Sequence, residues 1–492
     1  MPRTGICDIQ NPNMIDLATN EFHETKQPFS DLLGAEVDQA TYLKQAAQKL
    51  ALLNSLYDPA QNVETQTEHF LGLLSDRIFL PSPAILRHIT SNIPVLFDDV
   101  AFLLSDDTDH IFDTLKRASL FLQNHTRVTI DFSALRAKRS GAALGNKQFV
   151  GPIRLMELFE RTPQPSETPT KLNFTLSLDH LEIDDCLHYI RTAPKHIEYT
   201  IGVPNQFVSA LARKERFFLR HQPHAEPSTS IDAIKLFHKL INLIRDDHPI
   251  DLVFTDKINA FKQQRALPTN LILNGLHQLV WPGELMATGV IDLTLLTEEL
   301  TDHGDKLRET MARVINFLDN TFDLNHYFDK DSEALTTRTR RLGISINGLD
   351  TLLTKMNPEH SPNKNQHITS KLAHTIKETL IEASHKLGQQ RGYVTQVSFA
   401  NHPIKTRNTQ LLAQIHDPLL ANELDATNFL MTSPAPLTQY PEHYDTHLRW
   451  QEVCDNLVSL PHPLHHTDLD TFVKLFFLAF EKGFLSFETV RA

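Results

Sequence analysis

Cysteine is nearly absent from this chain: 492 residues hold three, Cys7, Cys186 and Cys454. They form no CxxC pair and no disulfide framework, which excludes a cysteine-stapled secreted module and fits a reducing, cytoplasmic setting. Glycine is also scarce, with 16 residues, about half the usual ~7%. Few loops are therefore free to bring bare backbone against a phosphate. Long apolar runs are missing. The longest, near 475–480, is far short of a membrane span, and residues 1–10 carry no apolar signal core. Positive charge is in deficit as well: 47 Lys and Arg stand against 60 Asp and Glu, a net charge of −13. Non-specific nucleic-acid binding runs on phosphate neutralisation, so that function class is excluded.

Hydrophobic residues make up 41%, enough for a sizeable core. The length suits roughly two to four domains, or one large barrel with a helical cap. Two short basic stretches, 136–139 and 338–341, read as solvated faces or ion pairs, with phosphate contact as the sharper alternative. The 26 histidines are scattered. His462, His465 and His466 cluster near prolines, but no Cys or HxxxH spacing completes a metal site there, and no cofactor is implied.

Residues 1–36 read as a polar tail. Apolar residues recur at helical spacing over 37–57 and 63–74, giving an N-terminal region of 1–76. Thr108 or Asp109 is placed to cap a helix reaching 123, and VTIDF (128–132) follows as a strand. Strand-like and helix-like pieces then alternate. The strands are 171–178, 197–203, 251–254, 289–293, 343–346, 408–415 and 486–490. The helices are 183–191, 205–220, 231–245, 306–323, 348–355, 369–387 and 468–482. Segments 162–169 and 222–230 read as Pro/Ser-rich connections. Such alternation implies a parallel α/β sheet or barrel over 77–492.

The order of short blocks within this body resembles the large (alpha) subunit of ribonucleotide reductases. RIFLPSPAIL (77–86), IFDTL (111–115), DFSALRAK (131–138), VGPIRLMELFE (150–160) and LSLDHLEIDDCLHYI (176–190) are similar to successive family blocks. PIDLVFTDKIN (249–259), FLDNTFDLN (317–325), RTRRLGISINGLDTLL (338–353) and the closing stretch 469–491 continue the series. The pattern is nearest to that of the cobalamin-dependent, class II-like members. The resemblance implies a ten-stranded α/β barrel with a finger loop at its centre. It also implies a reaction in which a thiyl radical opens the removal of the ribose 2′-hydroxyl and two further cysteines supply the electrons.

The residues that this chemistry needs are replaced. The first reductant cysteine of the family falls on Ala101. The finger loop, NPCGE-like in the family, corresponds to NGLHQ (274–278), with Leu276 at the radical cysteine and Gln278 at the proton-transferring glutamate. The second reductant falls on Met286, and no cysteine pair follows before Ala492. The phosphate loop of the family becomes His416, Asp417, Pro418 and Leu419, where aspartate repels phosphate and proline removes a donor. The Gly-rich turn before DFS becomes Asn124, His125, Thr126 and Arg127. Ser82 is the remaining substrate-contact candidate. The expectation is a degenerate member, a pseudoenzyme with a binding or regulatory role in nucleotide metabolism, engaging a protein partner such as a reductase subunit, or a nucleotide. The alternatives are acid–base chemistry on the same barrel, using His277, His416 or Asp417, and an active reductase whose cysteines come from Cys186, Cys454 or a partner.

Overall fold

The computed structural model describes residues 33, 37–138, 150–162, 171–223, 225–296, 304–359, 361–394, 404–415, 442–458, 461–463 and 468–490. Helices α1 (Gln39–Asn54) and α2 (Val63–Ser75) pack against each other, and their buried stripes, Leu43, Ala47 and Leu50 with Phe70, Leu73 and Leu74, follow the 3.6-residue period. Asn62 caps α2 by accepting from the N–H groups of Glu64 and Thr65. Strand β1 (Phe79–Pro81), helix α3 (Pro83–His88), strand β2 (Asp99–Leu103), helix α4 (Thr108–Gln123) and strand β3 (Arg127–Asp131) follow. Asp107, one residue before the expected cap, closes the start of α4 by accepting from His110 N–H.

The next run is α5 (Pro152–Glu160), β4 (Leu172–Ser177), α6 (Ile183–Thr192), β5 (Ile197–Val203), α7 (Asn205–Arg213), β6 (Arg216–Arg220), β7 (Pro227–Asp232), α8 (Ala233–Arg245), β8 (Ile250–Phe254) and α9 (Thr255–Gln264). Two expectations are corrected here. The helix expected over 205–220 stops at Arg213, because Lys214 takes a left-handed conformation (φ 59°). The chain then alternates exposed and buried residues as β6. The segment 222–230, read as a connection, supplies β7, which pairs antiparallel with β6; its Pro227 sits at the strand start, where no ladder donor is lost.

Beyond α9 come the short strands β9 (Ile272–Leu273) and β10 (Leu279–Val280), β11 (Ala287–Asp292), α10 (Gly304–Leu324), α11 (Lys330–Thr339), β12 (Leu342–Asn347), α12 (Leu349–Met356), α13 (Pro362–Arg391), α14 (Glu442–Val453), β13 (Pro461–Pro463), α15 (Leu469–Lys482) and β14 (Ser486–Val490). The strand expected over 408–415 is a third correction. Only isolated bridges occur, at Leu412 and Gln414. The Gln414 amide takes ladder positions by bonding both the N–H and the C=O of Ile346, and Ser345 Oγ accepts from Ile415 N–H.

The strands make a mixed α/β architecture. A seven-stranded sheet runs β13-β14-β8-β5-β4-β3-β2, and β2, β3, β4, β5 and β8 are mutually parallel. β14 pairs antiparallel with β8. A three-stranded sheet runs β1-β11-β12. Register explains how the large sheet divides its chemistry, since alternate residues face opposite sides. Phe102, Ile130, Phe174, Tyr199 and Ile250 lie in one row. They pack under the helices, where Phe132–Phe174 and Phe237–Phe476 ring centroids stand 5.1 and 4.9 Å apart. The opposite face carries a second row of Ala101, Thr129, Asn173 and Glu198. A third row, Asp131, Thr175, Thr200 and Asp251, lies beside it. The polar face is the one that positions the candidate site.

Candidate functional site

The hairpin β9–β10 lies against this polar face. Its two short strands pair Leu273 with Leu279 and Ile272 with Val280, leaving 274–278 as the connecting loop. Asn274 builds the loop from within: its Oδ1 accepts from Leu276 N–H (3.0 Å) and Gln278 N–H (2.8 Å), while its C=O accepts from His277 N–H. Gly275 makes the closest approach to the sheet. A Cβ there would stand 2.5 Å from Arg127 Cδ and 2.6 Å from Asp99 Oδ2, so no side chain fits. Its C=O accepts from Arg127 Nη1 at 2.7 Å. On the far side, Gln278 Nε2 donates to Leu457 C=O and Asn456 Oδ1 accepts from Leu279 N–H.

Ala101 is fully buried and packs with Ile272 and Val280 of the hairpin. Leu276 and Met286 come together, in one small apolar cluster with Ala413 and Ile415. A pocket beside it, lined by Asp98, Leu276, Thr288, Gly289, Val290, Ser345 and Ile415, has room for about one water molecule. Gln278 is buried, and as an amide it cannot carry a proton in catalysis. Ser82 sits at the start of α3; its N–H donates to Thr288 C=O, and its buried Oγ has no hydrogen-bond partner. The neighbouring Ala84 N–H is taken by Asp98 Oδ1 at 3.0 Å. His125 takes a left-handed backbone (φ 61°), the conformation a glycine would supply most easily. The 416–419 loop, Cys7, Arg139, His465 and His466 lie outside the described residues.

The two described free thiols are poor candidates for the cysteine chemistry that the resemblance implies. Cys186, on α6, and Cys454, just after α14, are both buried, and burial pushes both thiols well above the ordinary range. A thiol kept protonated is neither nucleophile nor reductant. The basic stretches are ion-paired: Arg136 with Asp106 (2.9 Å), Arg340 with Asp319 (2.7 Å) and Arg341 with Glu284 (2.9 Å). Among the described residues, no group of three or more His, Cys, Asp or Glu is arranged to hold a metal ion, and no helix is long and apolar enough to cross a membrane.

The charged part of the site was only partly anticipated. His277 is the one expected acid–base candidate that the structure describes. It stands between two carboxylates, with Nδ1 3.4 Å from Glu488 Oε1 and Nε2 3.7 Å from Asp251 Oδ2. Burial alone would lower its pKa, but Glu488 and Asp251 outweigh it and raise it to about 9. Burial, with Glu488 adding and His277 opposing, pushes Asp251 up to about 6. Asp99 is raised well above the carboxylate range, first by burial and only partly offset by Arg127, 3.9 Å away. Asp99, Glu198, Asp251 and Glu488 were not singled out from the sequence, and Arg127 entered only as the last residue of the turn before DFS. The available signal was a charged residue alternating with apolar ones inside each strand: RVTID, IEYTIGV, IDLVF, SFETV.

Residues 286–459 match the model of the ribonucleotide reductase barrel domain. The chain is 21% identical to a vitamin B12-dependent ribonucleoside-diphosphate reductase of Mycobacterium tuberculosis over 358 residues, 71% of this chain and 52% of the relative. It is likewise 21% identical to the enzyme so named in Thermoplasma acidophilum, over 71% of this chain and 47% of the relative. A ribonucleoside-diphosphate reductase large subunit of Danio rerio is 19% identical over 65% of this chain and 46% of the relative. The chain thus spans about half the length of the curated relatives it matches.

Proposed function

Since the chain belongs to the ribonucleotide reductase large-subunit family, we propose that it is a degenerate member which retains the barrel scaffold and has lost the radical reaction. The seven-stranded and three-stranded sheets are the walls of the ten-stranded barrel in this reading, 274–278 is its finger loop, and the barrel unit extends over 77–492 behind an N-terminal unit of 1–76. The observation that carries the reading is the cluster of Leu276, Met286, Ala413 and Ile415. Two positions that the resemblance assigns to the radical and a reductant cysteine hold side chains that transfer neither hydrogen nor electrons: Met286 is buried, and Leu276 is partly buried against it. Ala101, at the other reductant position, is fully buried.

The remaining work is binding: a protein partner such as a reductase subunit, or a nucleotide in a regulatory mode, within the cytoplasm. Purified protein supplied with a ribonucleotide, dithiothreitol and either adenosylcobalamin or a radical-bearing reductase subunit is expected to form no deoxynucleotide. Product above background would overturn the reading. Thermal-shift measurements separate the two binding modes, because a nucleotide that binds only the folded state raises the melting temperature.

One observation favours a second reading, acid–base chemistry on the same scaffold: His277 converges with Asp251 and Glu488. Among the described residues, its ion-pair partners are these two carboxylates and not a nucleophile, so the degenerate-scaffold reading stands first. Turnover abolished by His277→Gln would reverse that order.

A further inference from the structure

Asp251 and Glu488 raise a problem that the fold must solve. β14 and β8 pair antiparallel in the register Ser486–Val253 and Phe487–Leu252. The next step of that register sets Glu488 opposite Asp251, and like charges directly opposite one another are destabilising. Recorded pairing stops one step short, and beyond it Asp251 Oδ1 accepts from Thr489 N–H at 2.6 Å. His277 reaches this seam from the 274–278 loop, one ring nitrogen toward each carboxylate. It does so from a left-handed backbone (φ 53°), a conformation that β-carbon-bearing residues adopt at some cost and that surrounding contacts must hold. Its side chain is 8% exposed, as is that of Glu488.

We propose that His277 is a charge clamp: its imidazolium cancels the Asp251–Glu488 repulsion at the β8–β14 seam and thereby locks the 274–278 loop, as an internal plug, onto the polar face of the sheet. The charged groups described around the clamp fit this assignment. Glu198 on β5 adds negative charge near Asp251, and Arg127 on β3 is an opposing cation. Arg127 is itself engaged with Gly275 C=O, Asp99 and Glu198. While the clamp is closed, Gly275 fills the cradle of Asp99, Arg127 and Thr129, and the loop occupies space a ligand would otherwise enter. Loss of the imidazolium charge leaves the buried Glu488 carboxylate facing that of Asp251, which is 29% exposed, and frees the loop. This device is independent of whether the barrel retains any chemistry.

The sign of the pH dependence follows from the shift. His277 is held above its unfolded value, so the stability it contributes is complete below about pH 6.5 and is lost as the pH rises through about 9. The melting temperature of the parent should therefore exceed that of His277→Gln at pH 7, and the gap should close by pH 10. An equal gap at both values would overturn the proposal. Loop release is read with a reporter thiol, Leu276→Cys, labelled at a single pH in the parent and in the His277→Gln background, with labelling of the chain's own cysteines subtracted. Labelling is expected to be at least about tenfold faster without the imidazole; equal rates would overturn the clamp. Should His277→Gln fail to fold, an NMR titration of the parent decides. No histidine titrating above pH 8 refutes the proposal, and one that does, abolished by Glu488→Gln, supports it.

Discussion

Two buried aspartates, Asp319 on α10 and Asp99 on β2, respond to the same burial in opposite directions. Asp319 is fully buried, yet Arg340, Arg391 and Arg407 stand 2.7, 3.2 and 3.4 Å from its carboxylate, and Asn408 Nδ2 donates to it as well. Burial would raise its pKa; the guanidinium groups overcome that and hold it below the usual range. Asp99 has one arginine, 3.9 Å away, and there burial wins. The difference lies in the number and closeness of cations, because a buried carboxylate stays charged only where its partners replace the lost hydration. The Asp319 knot is thereby a structural rivet. It reaches from α10 to Arg391 at the end of α13, and through Arg391 to Asn54 and the ring of Tyr57 beside α1. The Asp99 region, where the hairpin meets the sheet, holds its charges loosely.

Three substitutions sharpen that contrast. Asp319→Asn removes the negative charge shared by three guanidinium groups and should cost about 3–5 kcal/mol, measured by denaturant unfolding. The parent's Asp319 contribution is present above the unfolded carboxylate pKa and is lost as the pH falls through its lowered folded value, so the variant should lack part of the parent's acid-induced loss. A cost below 1 kcal/mol would erase the distinction between rivet and loose pair. Asp99→Asn should leave stability within about 1 kcal/mol of the parent. Because Asp99 is raised, its own contribution is most favourable below about pH 4 and weakens as the pH rises toward the folded value; the variant's standing relative to the parent should improve over that range. The opposite slope would mean that Arg127 controls Asp99 after all. Ser82→Ala is the smallest change. Its Oγ has no hydrogen-bond partner, so stability should shift by no more than about 0.5 kcal/mol. If Ser82 contacts a ligand, a nucleotide-induced thermal shift seen in the parent would vanish in the variant; its persistence would remove Ser82 from the site.

Much of the fold was legible from pattern. The helix expected over 231–245 shows an apolar stripe and forms over 233–245, its first two expected residues belonging to β7 and to the Asp232 cap, and IEYTIGV shows the alternation of a strand with one apolar and one polar face. The misses have local causes. Lys214 ends α7 through a left-handed turn that helical periodicity does not encode. Over 408–415, Gln414 and Ser345 side chains occupy ladder positions that backbone would fill in a regular strand. In the site, Ala101, Leu276, Gln278 and Met286 were legible as residue types at the positions that the resemblance assigns, but how they pack was not. Leu276 meets Met286, and Ala101 meets Ile272 and Val280, only once the hairpin folds back against the sheet.

The sequence by itself determined the mixed α/β pattern, the order of family-like blocks and the absence of cysteine from the positions where the resemblance expects it. These are properties of residue identity and of contacts within a few positions along the chain. Tertiary structure alone decided which charges the interior keeps. The state of His277 depends on Asp251 and Glu488, and that of Asp319 on Arg340, Arg391 and Arg407. All are distant in sequence and become neighbours only through strand pairing and helix packing. Ionisation in a desolvated interior is set by the balance of burial against a few nearby charges, and that balance is fixed by three-dimensional distance.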